Sequence, residues 1–211
     1  LAGVHSLSSG QIMIDGKPVS IETPTAALRH GIAIVFQETN LVSSMTVAQN
    51  IYLGEENFLN RLRGLYIRAQ NFLMSMKFNV DPTALVSSLG AAQKQMVEVA
   101  RAVHHAAKVI IFDEPTATLT PEEKRYFFGL VHRLKEQGIS ILFISHALEE
   151  ALDHSDPIPV LRDGQKVATG PTSTFTRDSI IQAMIGRELA GELYGARKGH
   201  ELPIRKPKAK I

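Results

Sequence analysis

Apolar and polar residues alternate through Gln11-Ile12-Met13-Ile14-Asp15-Gly16-Lys17-Pro18-Val19 and the chain turns at Asp-Gly, a pattern that predicts a β-hairpin. Thr23-Pro24 through His30, closed by Gly31, predicts a short helix, and the continuous apolar run Ile32-Ala33-Ile34-Val35-Phe36 predicts a strand buried on both faces. From Thr46 to about Asn79 the period becomes helical, with Val47, Ile51 and Tyr52 in one segment and Tyr66, Phe72, Leu73 and Met76 in a second, ended by Asp81-Pro82. Met74 and Met76 are expected to fill core space. A helix over roughly Ala92 to His105 leads to a second buried strand, Lys108-Val109-Ile110-Ile111-Phe112. A long helix, Pro121 to Gln137, leads through Gly138 to a third, Ile139-Ser140-Ile141-Leu142-Phe143-Ile144. Helices alternating with apolar strands predict an α/β fold with a mostly parallel sheet. A short helix near Ala147 to Leu152 follows. A second hairpin then turns at Arg-Asp-Gly-Gln between Ile158-Pro159-Val160-Leu161 and Lys166-Val167-Ala168-Thr169, and a last helix runs near Asp178 to Ile185. Beyond Gly186 the periodicity fades, and Gly191 to Ile211 reads as a linker.

Composition narrows this picture. With 211 residues, 44% apolar and 21% charged, the chain can bury a sizeable core, which excludes disordered, collagenous and disulfide-stapled classes. Zero cysteines excludes thiol chemistry and cysteine-bound metal and fits a reducing compartment. Of 23 Lys and Arg, six (Arg197, Lys198, Arg205, Lys206, Lys208, Lys210) lie in the last fifteen residues, leaving 17 against 20 acidic residues elsewhere. The basic excess is thus a terminal tail and not a face of the fold, so no nucleic-acid partner is expected; binding carried by that tail would vanish with residues 197–211. No apolar run approaches the length of a membrane span.

Each apolar strand is followed at once by polar residues: Gln37 after Phe36, Asp113-Glu114 after Phe112, and Ser145-His146 after Ile144. In an open α/β sheet, ligands bind outside the carboxyl ends of the strands, so these ends could bring an amide, two carboxylates and an imidazole to one site. Four apolar residues ending in Asp-Glu-Pro suggest a nucleotide-hydrolase element, one carboxylate serving a magnesium ion and the other a water. His104 and His105 end a helix, where a cation suits the dipole, and His154 lies near a turn; none is assigned to metal.

On these residues the chain resembles the ATP-binding subunits of ABC transporters, and most closely those that import monosaccharides. Ile110-Ile111-Phe112-Asp113-Glu114-Pro115-Thr116 is similar to the family's Walker B motif, which implies Asp113 as the Mg²⁺-side carboxylate and Glu114 as catalytic base. Gln37 resembles the Q-loop glutamine that senses metal and water and links the site to the membrane subunit, and His146 the switch histidine that contacts the γ-phosphate. Ala117-Thr118-Leu119-Thr120 resembles the D-loop, with Leu-Thr where Leu-Asp is commoner. Further resemblance lies in Leu161-Arg162-Asp163-Gly164 and in Met184-Ile185-Gly186-Arg187-Glu188-Leu189. Leu89-Gly90-Ala91-Ala92-Gln93 resembles the signature that reaches ATP held by an opposite subunit. Gly90 stands there for the usual serine and Ala92 for the usual glycine, so a lost hydroxyl and an added methyl are expected to weaken that grip, while backbone amides survive. The bland alternative is an amphipathic helix with Met96, Val97, Ala100 and Val103 on its buried side.

The sequence holds no Gly-x-x-x-x-Gly-Lys-Ser/Thr phosphate loop; Gly16-Lys17 is followed by Pro18 in a hairpin. The resemblance implies that this loop would lie upstream of Leu1, so the chain is expected to be an N-terminally truncated nucleotide-binding domain, residues 1–190, inactive alone. That domain would have a P-loop NTPase-like sheet flanked by helices, an antiparallel β portion, a helical insert at about 46–106 and a linker at 191–211. The implied function is the MgATP-binding and hydrolysing energy-coupling subunit of a sugar importer. It would work at the cytoplasmic face of the plasma membrane with a second ATP-binding domain, an integral membrane permease and, indirectly, a periplasmic or extracellular sugar-binding protein. The alternative is a non-hydrolytic assembly partner that lends only a degenerate signature.

Overall fold

Two successive left-handed residues, Asp15 (φ 50°) and Gly16 (φ 74°), make the tight turn that joins β1 (Ile12–Ile14) to β2 (Lys17–Val19), with Ile14 opposite Lys17. The computed structural model describes residues 1–36, 40–54 and 62–186. They divide into two units, Leu1–Ala147 and a second beginning at Leu148.

In the first unit, Thr23 accepts a hydrogen bond from the Ala26 N–H and so caps α1 (Pro24–Arg29), whose first position holds a proline that needs no donor. The three expected strands appear as β3 (Ile32–Val35), β4 (Val109–Asp113) and β5 (Ser140–Ile144), parallel and in the order β3-β4-β5. Alternation splits their side chains between two cores. Ala33, Val35, Ile110 and Phe112 face the larger one, while Ile32 and Ile111 meet Ile21 and Ala27 of α1 on the other side. β3 and β4 are therefore buried on both faces. β5 is not: Ile144 is 46% exposed, because among the described residues β5 pairs with a neighbour on one side alone.

The larger core is completed by four helices. In α2 (Val47–Ile51), Thr46 and Gln49 form a reciprocal capping box, and fully buried Asn50 accepts from the Val42 N–H and donates to the Val42 and Thr46 carbonyls. α3 (Leu62–Ser75) buries Leu65, Ala69 and Leu73, four residues apart. Met76 fills core as expected, but Met74 is 63% exposed: a further 100° around α3 carries it past the stripe that ends at Leu73. α4 (Ala91–His104) buries Val97 and Ala100 but leaves Met96 and Val103 half-buried, and places Gln95 and Glu98 inside instead. A short 3-10 turn, Val86–Ser88, precedes it. α5 (Pro121–Glu136) packs Phe127 edge-on against Phe112, ring centroids 5.1 Å apart.

The second unit contains α6 (Leu148–His154), the hairpin β6 (Pro157–Arg162) and β7 (Gln165–Pro171), and α7 (Arg177–Ile185). Its core is Ile158, Val160 and Ile180, and Asp163 and Gly164 supply the left-handed turn that Arg-Asp-Gly-Gln predicts. The expected Q-loop glutamine Gln37, the residues Arg187-Glu188-Leu189 and the linker 191–211 lie outside the described residues.

Candidate active site

The register of the parallel sheet sets three chain exits side by side. Val35 is level with Phe112 and Phe112 with Phe143, so Phe36, Asp113 and Ile144 occupy the same rung at the carboxyl edge. β4 is the middle strand, and its last residue is Asp113. The exit of β3, which leads to Gln37, and the exit of β5, which leads to His146, flank it.

At that rung the chain changes hand. Glu114 has φ 48°, in the left-handed region that non-glycine residues avoid at a cost of about 1–2 kcal/mol. The Glu114 N–H nevertheless donates to the Ile144 carbonyl at 2.9 Å, extending the ladder one bond beyond the strand. Its carboxylate is thereby aimed across the sheet: Oε1 lies 3.2 Å from Nδ1 of His146, close enough for an Nδ1–H to donate. The carboxylate is 37% exposed and the imidazole 71%, so both groups meet solvent and any ligand that enters there. Ser145 stays local, its hydroxyl accepting from the Ala147 N–H.

Beyond Glu114 the chain makes two tight turns, the Ala117 N–H donating to the Glu114 carbonyl and the Leu119 N–H to the Thr116 carbonyl. Ala117, Thr118 and Thr120 are exposed, whereas Leu119 is buried in the larger core and anchors the segment. Thr120 also caps α5, its hydroxyl accepting from the Glu123 N–H while the Glu123 carboxylate accepts from the Thr120 N–H.

Leu89, Gly90, Ala91, Ala92 and Gln93 form the entry to α4, with Gly90 as cap residue. The Gln93 side chain accepts from the Gly90 N–H, and a β-carbon built on Gly90 would meet nothing within 4 Å. Gly90 and Ala91 are exposed. Leu89 and Ala92 are half-buried against the chain's own core, so the Ala92 methyl, expected to crowd an opposing ligand, is partly absorbed inside the fold.

Sequence reasoning passed over a polar stripe on the same helix. Gln95, Glu98 and Arg101, three residues apart, lie along one face, with Gln95 and Glu98 buried. Gln95 donates to the Pro115 carbonyl, immediately after the acidic pair. The Asn40 N–H donates to Glu98 Oε1 at 2.7 Å, and Arg101 donates to the Asn40 carbonyl at 3.0 Å. Burial pushes the Glu98 carboxyl above the ordinary range, partly offset by the Asn40 bond and the charge of Arg101. The signal that would have found them is three polar residues at helical spacing inside an otherwise apolar segment.

For a cation, Asp113 and Glu114 supply hard carboxylate oxygens at the edge of the central strand. This donor set suits Mg²⁺, which takes one or two carboxylates and keeps its remaining positions for water and phosphate oxygens. Among the described residues no helix is long and apolar enough to cross a membrane.

A model of the family described as ABC transporter matches residues 1–117. The chain is 37% identical over 194 residues to a putative ribose/galactose/methyl galactoside import ATP-binding protein of Geobacillus kaustophilus, covering 90% of this chain and 39% of that protein. It is 42% identical over 192 residues to ribose import ATP-binding protein RbsA 1 of Rubrobacter xylanophilus, covering 90% of this chain and 38% of that one. The chain thus spans about two fifths of the length of these relatives. Among solved structures it superposes on cbiO1 of Clostridium perfringens, part of the ABC transporter complex cbiONQ, with TM-score 0.68 and 27% identity over 82% of this chain and 70% of that one. A nucleotide-free ATP-binding cassette from an ABC transporter shares the fold at TM-score 0.70 and 24% identity, over 92% of this chain and 79% of that one.

Proposed function

This chain belongs to the ABC transporter family, and from that premise we propose that it is part of the ATP-binding, ATP-hydrolysing subunit that drives import of a monosaccharide of the ribose or galactose type. The observation that carries the reading is the Glu114–His146 contact at the carboxyl edge of a parallel sheet, beside Asp113 at the end of the middle strand. Glu114 acts as general base toward the attacking water, its carboxylate held beside the His146 imidazole. Asp113 would hold Mg²⁺, with Gln37 as the further ligand that the resemblance implies, and the ion would supply neutralisation of phosphate charge. His146 orients the Glu114 carboxylate and donates toward the γ-phosphate. Ala117, Thr118, Leu119 and Thr120 carry the site toward a second ATP-binding domain, and residues 89–93 offer the exposed start of α4 to nucleotide held there. The names of the relatives support a sugar as cargo and an import direction.

We read residues 1–190 as this nucleotide-binding domain and 191–211 as a linker, from the fading of periodicity beyond Gly186. Its working partners are a second such domain, an integral membrane permease at the cytoplasmic face of the plasma membrane and, indirectly, an extracytoplasmic sugar-binding protein. The test is MgATP turnover by the full gene product against its Glu114→Gln variant. A fall of about a hundredfold or more is expected from loss of a general base, and an unchanged rate would sink the reading for this site. The 211-residue chain alone, whose sequence holds no Gly-x-x-x-x-Gly-Lys-Ser/Thr motif, is expected to show little MgATP binding by calorimetry. A second reading, a non-hydrolytic assembly partner, draws support from Gly90 and Ala92, and the same measurement separates the two.

A further inference from the structure

Glu98 is a carboxylate 3% exposed to solvent in the middle of a 14-residue helix, with Oε2 buried and, among the described residues, lacking a hydrogen-bond partner. An apolar side chain of similar size would fill that position without the desolvation cost of an unpaired polar atom, so packing does not account for a glutamate there. Its other oxygen receives the N–H of a residue 58 positions away, and Arg101, one turn along, donates to the carbonyl of the same residue. Both ends of one backbone unit, at Asn40, are therefore gripped from one face of α4. Because the grip is on main-chain atoms, it does not depend on the Asn40 side chain. One turn before Glu98, Gln95 holds the Pro115 carbonyl, so the stripe reaches the segments leaving both β3 and β4.

We propose that Glu98 and Arg101 are positioning residues: they clamp the Asn40 backbone to α4 and so hold the chain at residue 40 against the helix that begins at residues 89–93. Asn40 then cannot shift unless α4 moves with it or both hydrogen bonds break. The consequence for turnover rests on the proposed ATPase function; the clamp itself does not.

The test is hydrogen exchange of the Asn40 amide, followed by NMR in the nucleotide-free 211-residue chain. Asn40 is an exposed residue, but its N–H meets a carboxylate 3% exposed, so protection is assigned to the bond by comparing Glu98→Met with Glu98→Gln. In the parent chain, exchange at least about tenfold slower than for a free peptide amide is expected; free-amide exchange would overturn the proposal. Glu98→Met, which keeps length and loses the acceptor, is expected to restore fast exchange at Asn40 with β4 amides unchanged. Glu98→Gln, which keeps an acceptor oxygen, is expected to preserve protection to within about threefold. Unaltered protection in Glu98→Met, or protection lost equally in both variants, overturns the clamp. Should Glu98→Met fail to fold, Glu98→Leu, apolar and without an acceptor, makes the same comparison. Because exchange needs no nucleotide, a chain that does not hydrolyse ATP and a chain that does not clamp Asn40 give different results.

Discussion

Glu114 and His146 leave adjacent parallel strands on the same side, and the left-handed backbone of Glu114 brings its carboxylate to 3.2 Å from the imidazole. Two measurements on one substitution separate what this arrangement costs from what it does. Glu114→Gly removes the strain of a β-carbon at φ 48°, and is expected to leave stability unchanged or raise it by about 1 kcal/mol in urea unfolding. In the full gene product the same change is expected to abolish hydrolysis. A clear loss of stability would show that the Glu114 side chain holds the fold together and is not stored strain at a site.

Gly90 caps α4 with open space around its missing β-carbon, so Gly90→Ser is expected to be accommodated without rearrangement. The new hydroxyl can accept from the Gln93 N–H, and a gain of about a few tenths of a kcal/mol is expected, since glycine is itself a tolerable cap. Thermal unfolding of the two chains side by side measures this; a destabilised variant would mean that the helix entry is crowded.

The raised Glu98 carboxyl makes stability depend on pH with a defined sign. The folded chain holds this proton more tightly than the unfolded chain, so the contribution is fully present below the ordinary carboxylate value of 4.5 and is lost as pH rises through the higher folded value. The stability of the parent relative to Glu98→Gln, which has no such group, is therefore expected to fall as pH climbs from 4.5 toward neutrality. Urea titrations of both chains across that range give the difference directly; a difference that stays flat or rises would contradict the burial cause.

Gly3, at φ 74°, lies so close to the cap of α1 that a β-carbon there would stand 2.3 Å from the Thr23 carbonyl carbon and oxygen. That is a backbone-to-backbone collision with no flexible side chain to yield. Gly3→Ala is expected to cost about 1–3 kcal/mol, read as a lower urea midpoint at unchanged slope.

The sequence by itself determined the order and kind of the elements in both units, because continuous apolar runs closed by glycine or proline admit few alternatives to buried strands joined by helices. It also placed the candidate residues, since Asp113, Glu114 and His146 fall at or just beyond the ends of β4 and β5. What it left open follows from side-chain direction, which a linear pattern samples only on average. Met74 and Met76 are two residues apart in one apolar stretch, yet the first points outward and the second inward. Ile144 reads like Ile111 but stands at the margin of the sheet and meets solvent. Two features were decided only by tertiary structure. The hand of the backbone at Glu114 depends on its bond to Ile144, on the neighbouring strand. The Glu98–Asn40–Arg101 contact joins residues that no local propensity relates, and it exists because α4 passes the exit of β3 as the shared core closes around both.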